Sequence, residues 1–211
     1  TPRTFPNRRK TPVMDHIIGL VGDGYALVAV DRKVAHSIIS VKNDEDKILA
    51  LDKYKLLACG GELGDTKNFS EYVQKNIALY NLRNGVALST HAAAHFTRGE
   101  IAHAIRSSPK MCNMILVGYD SDEGASLYHI DYMGGMHKMN YGTHGYGGFF
   151  AASILDRNWK PKLSVDEGIA LMKRMFSEIN ERFLVGGATF TLKLVDKDGI
   201  RTIDVNDGMK A

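Results

Sequence analysis

HIIGLVGDGYALVAVDRKVAHSIISVKNDEDK occupies positions His16 to Lys47. It opens with two apolar runs, His16–Gly22 and Tyr25–Asp31, which are separated only by Asp23-Gly24. An Asp-Gly pair between two such runs is typical of a tight β-hairpin turn. We therefore predict that the fold begins with two adjacent antiparallel strands.

Beyond this hairpin, short apolar runs are interrupted by segments with helical spacing. Val34–Val41 and Lys47–Leu51 predict another strand pair. The clearest helix, Val165–Phe183, begins with a capping box between Ser164 and Glu167. The other predicted strands are Tyr54–Gly60, Met111–Tyr119, Ser126–Tyr132, Met136–Tyr141, Ala188–Asp196 and Ile200–Val205, and the other predicted helices are Asp65–Asn84, Ser89–Arg106 and Tyr146–Arg157. Because the helices come in pairs between groups of strands, the order favours a layered α+β fold over alternating βαβ units.

The net charge of +3 arises from the first residues of the chain rather than from a binding face. Residues 1–13 (TPRTFPNRRKTPV) carry four basic side chains and no acidic one, and the remainder has 23 basic against 24 acidic residues. We expect 1–13 to be a basic, unstructured extension and 14–211 to form a single domain. Met14 is then a plausible natural start. We expect no nucleic-acid partner, and an arm that binds nucleic acid is the alternative for the basic tail.

The overall composition is that of an ordinary globular chain, with 44% hydrophobic and 24% charged residues. No apolar run approaches the roughly 18 residues that span a bilayer, and no signal peptide is present, so we expect no membrane partner. Cys59 and Cys112 each lie in an apolar, strand-like segment. Buried reduced thiols, typical of a cytosolic or nuclear protein, are the favoured interpretation, with a disulfide or a catalytic thiol as alternatives.

Two motifs raise the question of a metal or a cofactor. His91 and His95 (HAAAH) have the spacing of two ligands on one helix face, but the Glu of a zinc protease and a third ligand are absent. Gly142–Gly148 (GTHGYGG) resembles a phosphate-binding loop but lacks the Lys-Ser/Thr of a P-loop. We interpret it as a tight strand-to-helix turn. The sequence therefore predicts no metal and no cofactor.

The segment quoted first resembles the opening of a proteasome beta-type subunit: a hairpin, an Asp-Arg pair after its second strand, and a Lys sixteen residues beyond that Asp. The resemblance extends from Asp15 to Val205 through LLACGGELGDTKNFSEYV, MCNMILVGYD, LYHIDYMG, HGYGGFFAASILDRNW and GGATFTLKLVDKDGI. Within the family, it is strongest to the non-catalytic member at the fourth position of the eukaryotic beta ring.

This resemblance implies the four-layer αββα sandwich of the N-terminal-nucleophile hydrolases, in which two stacked antiparallel sheets lie between helical layers. It also implies the partners: two neighbouring beta subunits, the alpha ring and the opposing beta ring of a twenty-eight-subunit particle. The expected location is the cytoplasm and nucleus.

Active members of the family are amidases whose N-terminal Thr attacks the peptide carbonyl, with its own α-amine helping to move the proton. The family's Asp and Lys fall on Asp31 and Lys47, but the position of the nucleophile falls on Asp15. The other three positions, a Ser, an Asp and a Ser in active members, are occupied by Tyr146, Arg182 and Val185. Four of the six positions are therefore lost, and the retained Lys47 and Asp31 are expected to form a structural ion pair.

Two functions follow from the resemblance. The first is a non-catalytic structural subunit of the ring, which helps to wall the chamber and to shape the substrate pocket of a catalytic neighbour. The second is an active N-terminal-nucleophile peptidase, for which Thr1, Thr11 or Cys59 would have to supply the nucleophile. Thr1 lies fourteen residues before the required position, and Thr11 has no better claim. The sequence favours the first function.

Overall fold

The computed structural model describes residues 15–36, 39–183 and 189–205. The strands are β1 (Ile17–Val21), β2 (Tyr25–Asp31), β3 (Val34–His36), β4 (Ile39–Lys42), β5 (Ile48–Asp52), β6 (Lys55–Gly61), β7 (Cys112–Asp120), β8 (Gly124–Ile130), β9 (Met136–Met139), β10 (Tyr141–His144), β11 (Phe190–Asp196) and β12 (Gly199–Ile203). The helices are α1 (Leu63–Asn84), α2 (Thr90–Ala104), α3 (Gly148–Asn158) and α4 (Val165–Arg182).

Ten of these strands form two five-stranded antiparallel sheets. The first sheet has the order β10-β1-β2-β11-β12, and the second has the order β5-β6-β7-β8-β9. The remaining two strands, β3 and β4, pair only with each other. The predicted opening hairpin is confirmed, since β1 and β2 pair from Ile17 with Val30 to Val21 with Ala26.

Strand β2 shows why the apolar runs are continuous rather than alternating. Its Ala26, Val28 and Val30 side chains face the second sheet and form part of the core between the sheets. Tyr25 and Leu27 point the other way, into a core shared with α3 and α4. A strand that is buried on both faces needs apolar residues at every position, because neither face meets water.

Helices cover the outer face of each sheet. Helices α3 and α4 pack on the first sheet, and α1 and α2 pack on the second. The capping box at the start of α4 is confirmed, because the Ser164 hydroxyl accepts from Glu167 N and the Glu167 carboxylate accepts from Ser164 N. The order of layers is therefore helices, sheet, sheet, helices, which confirms the predicted four-layer αββα sandwich.

One predicted strand pairing is wrong. Val34–Val41 does not pair with Lys47–Leu51: β3 pairs with β4 instead, and β5 pairs with β6. The turn between β5 and β6 is closed by the Asp52 carboxylate, which accepts from Tyr54 N at 2.8 Å. Pairing of strands that are adjacent in sequence closes a shorter loop and therefore loses less conformational entropy.

The region after residue 136 also differs from prediction. The single predicted strand Met136–Tyr141 is divided between the sheets, because β9 ends the second sheet and β10 ends the first. Strand β10 extends into the glycine-rich stretch up to His144, so only residues 145–147 form the strand-to-helix turn. The alternating small residues of this stretch are compatible with an edge strand, which apolar content alone does not reveal.

Some predictions fall outside the described residues: the basic extension 1–13, Met14 and Val185. Within the described parts of the chain, no helix is long and apolar enough to cross a membrane.

Candidate functional site

Three of the six positions singled out by the family resemblance meet at one place. Asp15 directly precedes β1, Asp31 ends β2, and Lys47 directly precedes β5. The Lys47 ammonium lies 2.7 Å from Asp15 Oδ1 and 3.4 Å from Asp31 Oδ1, and it donates to the Lys33 carbonyl at 2.7 Å. The Lys47 side chain is only 9% exposed. Each of its three ammonium hydrogens nevertheless has an acceptor within the protein.

The Asp15 carboxylate is engaged through both of its oxygens. While Oδ1 binds Lys47, Oδ2 accepts a hydrogen bond from Gly61 N at 2.8 Å. Gly61 ends β6, so this contact connects the start of the first sheet to the second sheet. The position of the family's nucleophile therefore holds an anion whose charge is balanced by Lys47 and whose second oxygen is hydrogen-bonded to the backbone.

Asp31 is the most buried carboxylate of the cluster. Its Oδ1 accepts from His16 N at 2.9 Å as well as facing Lys47. Burial raises the pKa of Asp31 to about 7, while the Lys47 ammonium opposes the shift and the Asp15 charge reinforces it. This carboxylate has no exposed oxygen with which to deprotonate a bound water, so its role is to hold Lys47 and the β1 backbone.

The turn at residues 145–147 lies against the same residues. Gly145 has φ +84°, and a Cβ there would lie 1.9 Å from the Asp15 carbonyl oxygen, so only glycine fits this approach. Gly147 N donates to His16 Nδ1 at 3.2 Å, and burial lowers the pKa of His16 to about 4. His16 is therefore neutral at physiological pH. Sequence reasoning missed His16, because one His at the start of a strand has no distinguishing pattern.

The remaining family positions do not complete a catalytic set. Tyr146, in place of a Ser, lies in this turn with 53% of its surface exposed. Arg182, in place of an Asp, ends α4 at the surface, where it pairs with Glu178 and lies over the Phe150 ring. Neither of these Arg182 contacts involves the carboxylates of the cluster. Val185 lies outside the described residues.

The other candidates are placed away from this cluster. The His91 and His95 rings on α2 have centroids 4.3 Å apart and are tilted by 54°, and His91 Nδ1 lies 3.2 Å from the Tyr128 hydroxyl. Among the residues that the structure describes, no group of three or more His, Cys, Asp or Glu side chains could hold a metal ion. Cys59 and Cys112 are buried free thiols, and burial raises the pKa of both, that of Cys112 to about 12. Neither forms the thiolate that a nucleophile requires.

A second buried lysine was missed by the sequence reasoning. Lys55, the first residue of β6, is 3% exposed and lies 3.0 Å from Asp52 Oδ2 and 3.9 Å from Asp120 Oδ1. Asp120 also accepts from Thr90 N, at the start of α2, at 2.9 Å. A lysine inside the apolar run YKLLACG was the available signal, because a buried lysine nearly always has a charged partner.

The comparisons with known proteins identify the family of this chain. The sequence model of the Proteasome subunit family matches residues 15–195. The chain belongs to the proteasome beta-subunit family. Proteasome subunit beta type-2-A of Arabidopsis thaliana is 50% identical over 188 residues, which cover 89% of this chain and 92% of that protein. Proteasome subunit beta type-2 of Dictyostelium discoideum is 46% identical, over 92% of this chain and 98% of that protein. Proteasome subunit beta type-4 of Saccharomyces cerevisiae is 38% identical, over 90% of this chain and 98% of that protein.

Family membership allows this cluster to be compared with the catalytic positions of proteasome beta subunits. The chain is a beta subunit of the 20S proteasome core, and the family forms a threonine-type protease complex. In this beta subunit Asp31 and Lys47 lie side by side, and Lys47 also contacts Asp15, the residue that the family resemblance aligns with the nucleophile.

Proposed function

We propose that this chain is a non-catalytic, structural beta subunit of the 20S core particle and occupies the fourth position of the beta ring. Its contribution to ATP- and ubiquitin-dependent protein degradation is indirect, because peptide bonds are cleaved by neighbouring subunits. The sequence resemblance supports the ring position, and the same resemblance supports a location in the cytoplasm and nucleus.

The observation that carries the proposal is the state of the Asp15 side chain. A threonine-type nucleophile needs a hydroxyl that can lose its proton and attack a carbonyl carbon. Asp15 has a carboxylate instead, and both of its oxygens are occupied, by Lys47 at 2.7 Å and by Gly61 N at 2.8 Å. An ion-paired carboxylate is a weak nucleophile, and its attack would break both contacts.

Hydrolysis by a pair of carboxylates is also disfavoured. Asp15 and Asp31 face each other through Lys47, whereas an acid–base pair of carboxylates shares a single proton and an activated water. The ammonium fills the space in which that water would bind. Lys47 therefore contacts both carboxylates and disfavours the sharing of a proton between them that such a mechanism requires.

The surface of the chain supports a role in assembly. Several large apolar side chains are exposed on α1, on the segment after it and at the start of α3: Leu79, Leu82, Val86 and Phe149. Interfaces of obligate assemblies bury upwards of roughly 2,000 Å² of largely apolar surface. The proposed partners are two adjacent beta subunits, the alpha ring and the opposing beta ring. Near the cluster, the exposed Tyr146 would contribute to the chamber wall and to the substrate pocket of a catalytic neighbour.

Native mass spectrometry of the chain, tagged at its C-terminus and purified gently from its own cells, tests the assembly. We expect a particle that contains many related alpha- and beta-type subunits. A peptide electrophile that reacts with N-terminal threonine tests the chemistry in the same sample. It should label other beta subunits, which serve as the positive control, and leave this chain unlabelled.

Two variants refine the test. Asp15→Asn keeps an acceptor for Gly61 N and should leave every peptidase activity of the assembled particle unchanged. Tyr146→Ala should alter one peptidase activity and spare the others, whereas an equal loss of all activities would indicate failed assembly. A small free oligomer that hydrolyses peptides by itself, or covalent labelling of this chain, would overturn the proposal in favour of an active N-terminal-nucleophile peptidase.

A further inference from the structure

A pair of histidine rings connects the two sheets near one edge of the sandwich. His129 belongs to β8 of the second sheet, and His144 ends β10 of the first. Their rings stack with centroids 3.8 Å apart and planes inclined by 25°. Both rings are largely removed from solvent, and His144 is 9% exposed.

Each ring makes a hydrogen bond to the backbone of the opposite sheet. His129 Nε2 lies 3.2 Å from the Thr143 carbonyl on β10, and His144 Nε2 lies 3.1 Å from the Met114 carbonyl on β7. A carbonyl oxygen only accepts, so both Nε2 atoms carry a proton and donate. The two bonds run in opposite directions across the gap between the sheets and together hold β10 against the second sheet.

The surroundings of the pair favour two neutral rings. Burial lowers the pKa of both histidines, that of His144 to about 4, and the proximity of His129 lowers it further. Asp131, which follows β8, favours protonation of both rings, whereas His137 on β9 opposes it at His129. The contacts from β7 and β10 come from backbone carbonyls and carry no charge.

Strand β10 lies at the edge of the first sheet. It has four residues and, among the strands that the structure describes, pairs with β1 alone. It leads directly into the 145–147 turn, which lies against Asp15 and His16. Short edge elements with one neighbour have low free energies of local opening.

We propose that His129 and His144 form an acid-sensitive latch, and that their protonation releases β10 and the 145–147 turn while the rest of the sandwich stays folded. Two charged imidazolium rings at 3.8 Å repel each other in a poorly solvated space, and opening β10 relieves this repulsion by exposing both rings to water.

Hydrogen–deuterium exchange of the assembled particle tests the latch. Labelling times at pH 7 and near pH 5 are adjusted for the intrinsic exchange rate, and peptides covering 141–147 are compared with peptides covering β7. At the lower pH, the exchange of 141–147 relative to β7 should rise roughly tenfold or more, because the open state takes up protons with an ordinary histidine pKa.

Variants separate the latch from a general effect of acid. In His129→Gln/His144→Gln, the amides can still donate but do not titrate, so the relative exchange of 141–147 should not depend on pH. His103→Gln, at an exposed histidine on α2, should keep the wild-type rise. If the double variant does not assemble, His129→Gln alone removes the repulsion between the rings and should reduce the rise. The proposal is overturned by an absent or particle-wide rise in the wild type, or by an unchanged rise in the Gln variants.

Discussion

Lys47 and Lys55 lie at opposite ends of the β5–β6 hairpin, and each is buried beside two carboxylates. Lys47 has three acceptors within 3.4 Å, whereas Lys55 has one carboxylate at 3.0 Å and a second at 3.9 Å. The Lys47 cluster connects the two sheets through Asp15, and the Lys55 cluster connects α2 to the second sheet through Asp120.

Only one of these clusters lies at the family's catalytic positions, and geometry does not show which. A buried lysine shifts the pKa values of neighbouring carboxylates both at catalytic positions and in a purely structural ion pair. The distinction comes from the order of residues along the chain, which places Asp15, Asp31 and Lys47 on the family's positions. It follows that both clusters should now behave as structure, and that they should differ only in how completely each charge is compensated.

Replacing each lysine by methionine gives the largest expected effect. Lys47→Met leaves Asp31 and Asp15 as close carboxylates without a counter-charge, and we expect a loss of about 3–5 kcal/mol in the free energy of unfolding. Lys55→Met should cost less, because the Lys55 ammonium lies farther from its two carboxylates, at 3.0 and 3.9 Å, than the Lys47 ammonium does, at 2.7 and 3.4 Å. Urea unfolding of the full chain measures both variants.

A second substitution shows whether the loss at Lys47 is electrostatic. Adding Asp31→Asn to Lys47→Met removes one of the uncompensated charges and should recover part of the lost stability. If the two lysine variants lose the same amount, or if Asp31→Asn recovers nothing, the difference between the clusters does not lie in charge compensation.

Acid should weaken the Lys47 end through His16, a neighbour that the Lys55 end lacks. The pKa of His16 falls from 6.5 to about 4 on folding, so the unfolded chain binds the proton more tightly. The stability that neutral His16 contributes is fully present above pH 6.5. It decreases by about 3 kcal/mol in total as the pH falls towards 4. The raised pKa of Asp31 changes stability with pH in the opposite direction. The effect of His16 must therefore be measured as a difference between the wild type and a His16 variant.

The difference in unfolding free energy between the wild type and His16→Gln, measured from pH 7 to pH 4, isolates His16. We expect this difference to shrink as pH falls, because the variant has no proton to take up at this position. His103→Gln, at an exposed histidine on α2, is the matched control. A constant difference for His16→Gln would show that His16 is not held neutral by the fold.

The two ends also show what the sequence could and could not predict. The apolar run of β2 predicted a buried strand correctly, because burial on both faces leaves a pattern in the sequence of that strand alone. The meeting of Asp31 with Lys47 was expected from the family resemblance. Lys55 within an apolar run indicated a charged partner but not that Asp120 would be that partner, because their contact depends on the register of β6 and β7, which is set by the whole sheet.

The incorrect strand pairing and the missed contact of Asp15 have the same cause: both depend on how distant parts of the chain come together. Propensity places Val34–Val41 and Lys47–Leu51 in strands but does not choose their partners, and the short β5–β6 turn makes that choice. Nor could the sequence show that Asp15 Oδ2 accepts from Gly61 N, because this contact exists only once the two sheets are stacked.

Packing rather than charge should dominate at the Lys55 end. Gly118 pairs with Lys55 across β6 and β7, and a Cβ on it would lie 2.4 Å from Thr90 Oγ1 and 3.0 Å from Lys55 Cγ. Gly118→Ala should therefore cost about 1–3 kcal/mol of unfolding free energy. Thr90→Ala in the same chain removes the closest atom and should recover much of the loss, as measured by urea unfolding. Without recovery, the cost would have to come from Lys55 or from the backbone.

The smallest effect is expected at Arg182, which occupies a family position but belongs to neither cluster. Its guanidinium pairs with Glu178 at the surface and lies 5.7 Å from the centre of the Phe150 ring. Exposed ion pairs contribute little to stability, so Arg182→Ala should leave the free energy of unfolding and the peptidase activities of the particle almost unchanged. Lys75→Ala, which breaks the exposed pair with Glu71 on α1, is the matched control. A loss at Arg182 several times that at Lys75 would show that Arg182 contributes more than an exposed ion pair, for example through its contact with the Phe150 ring.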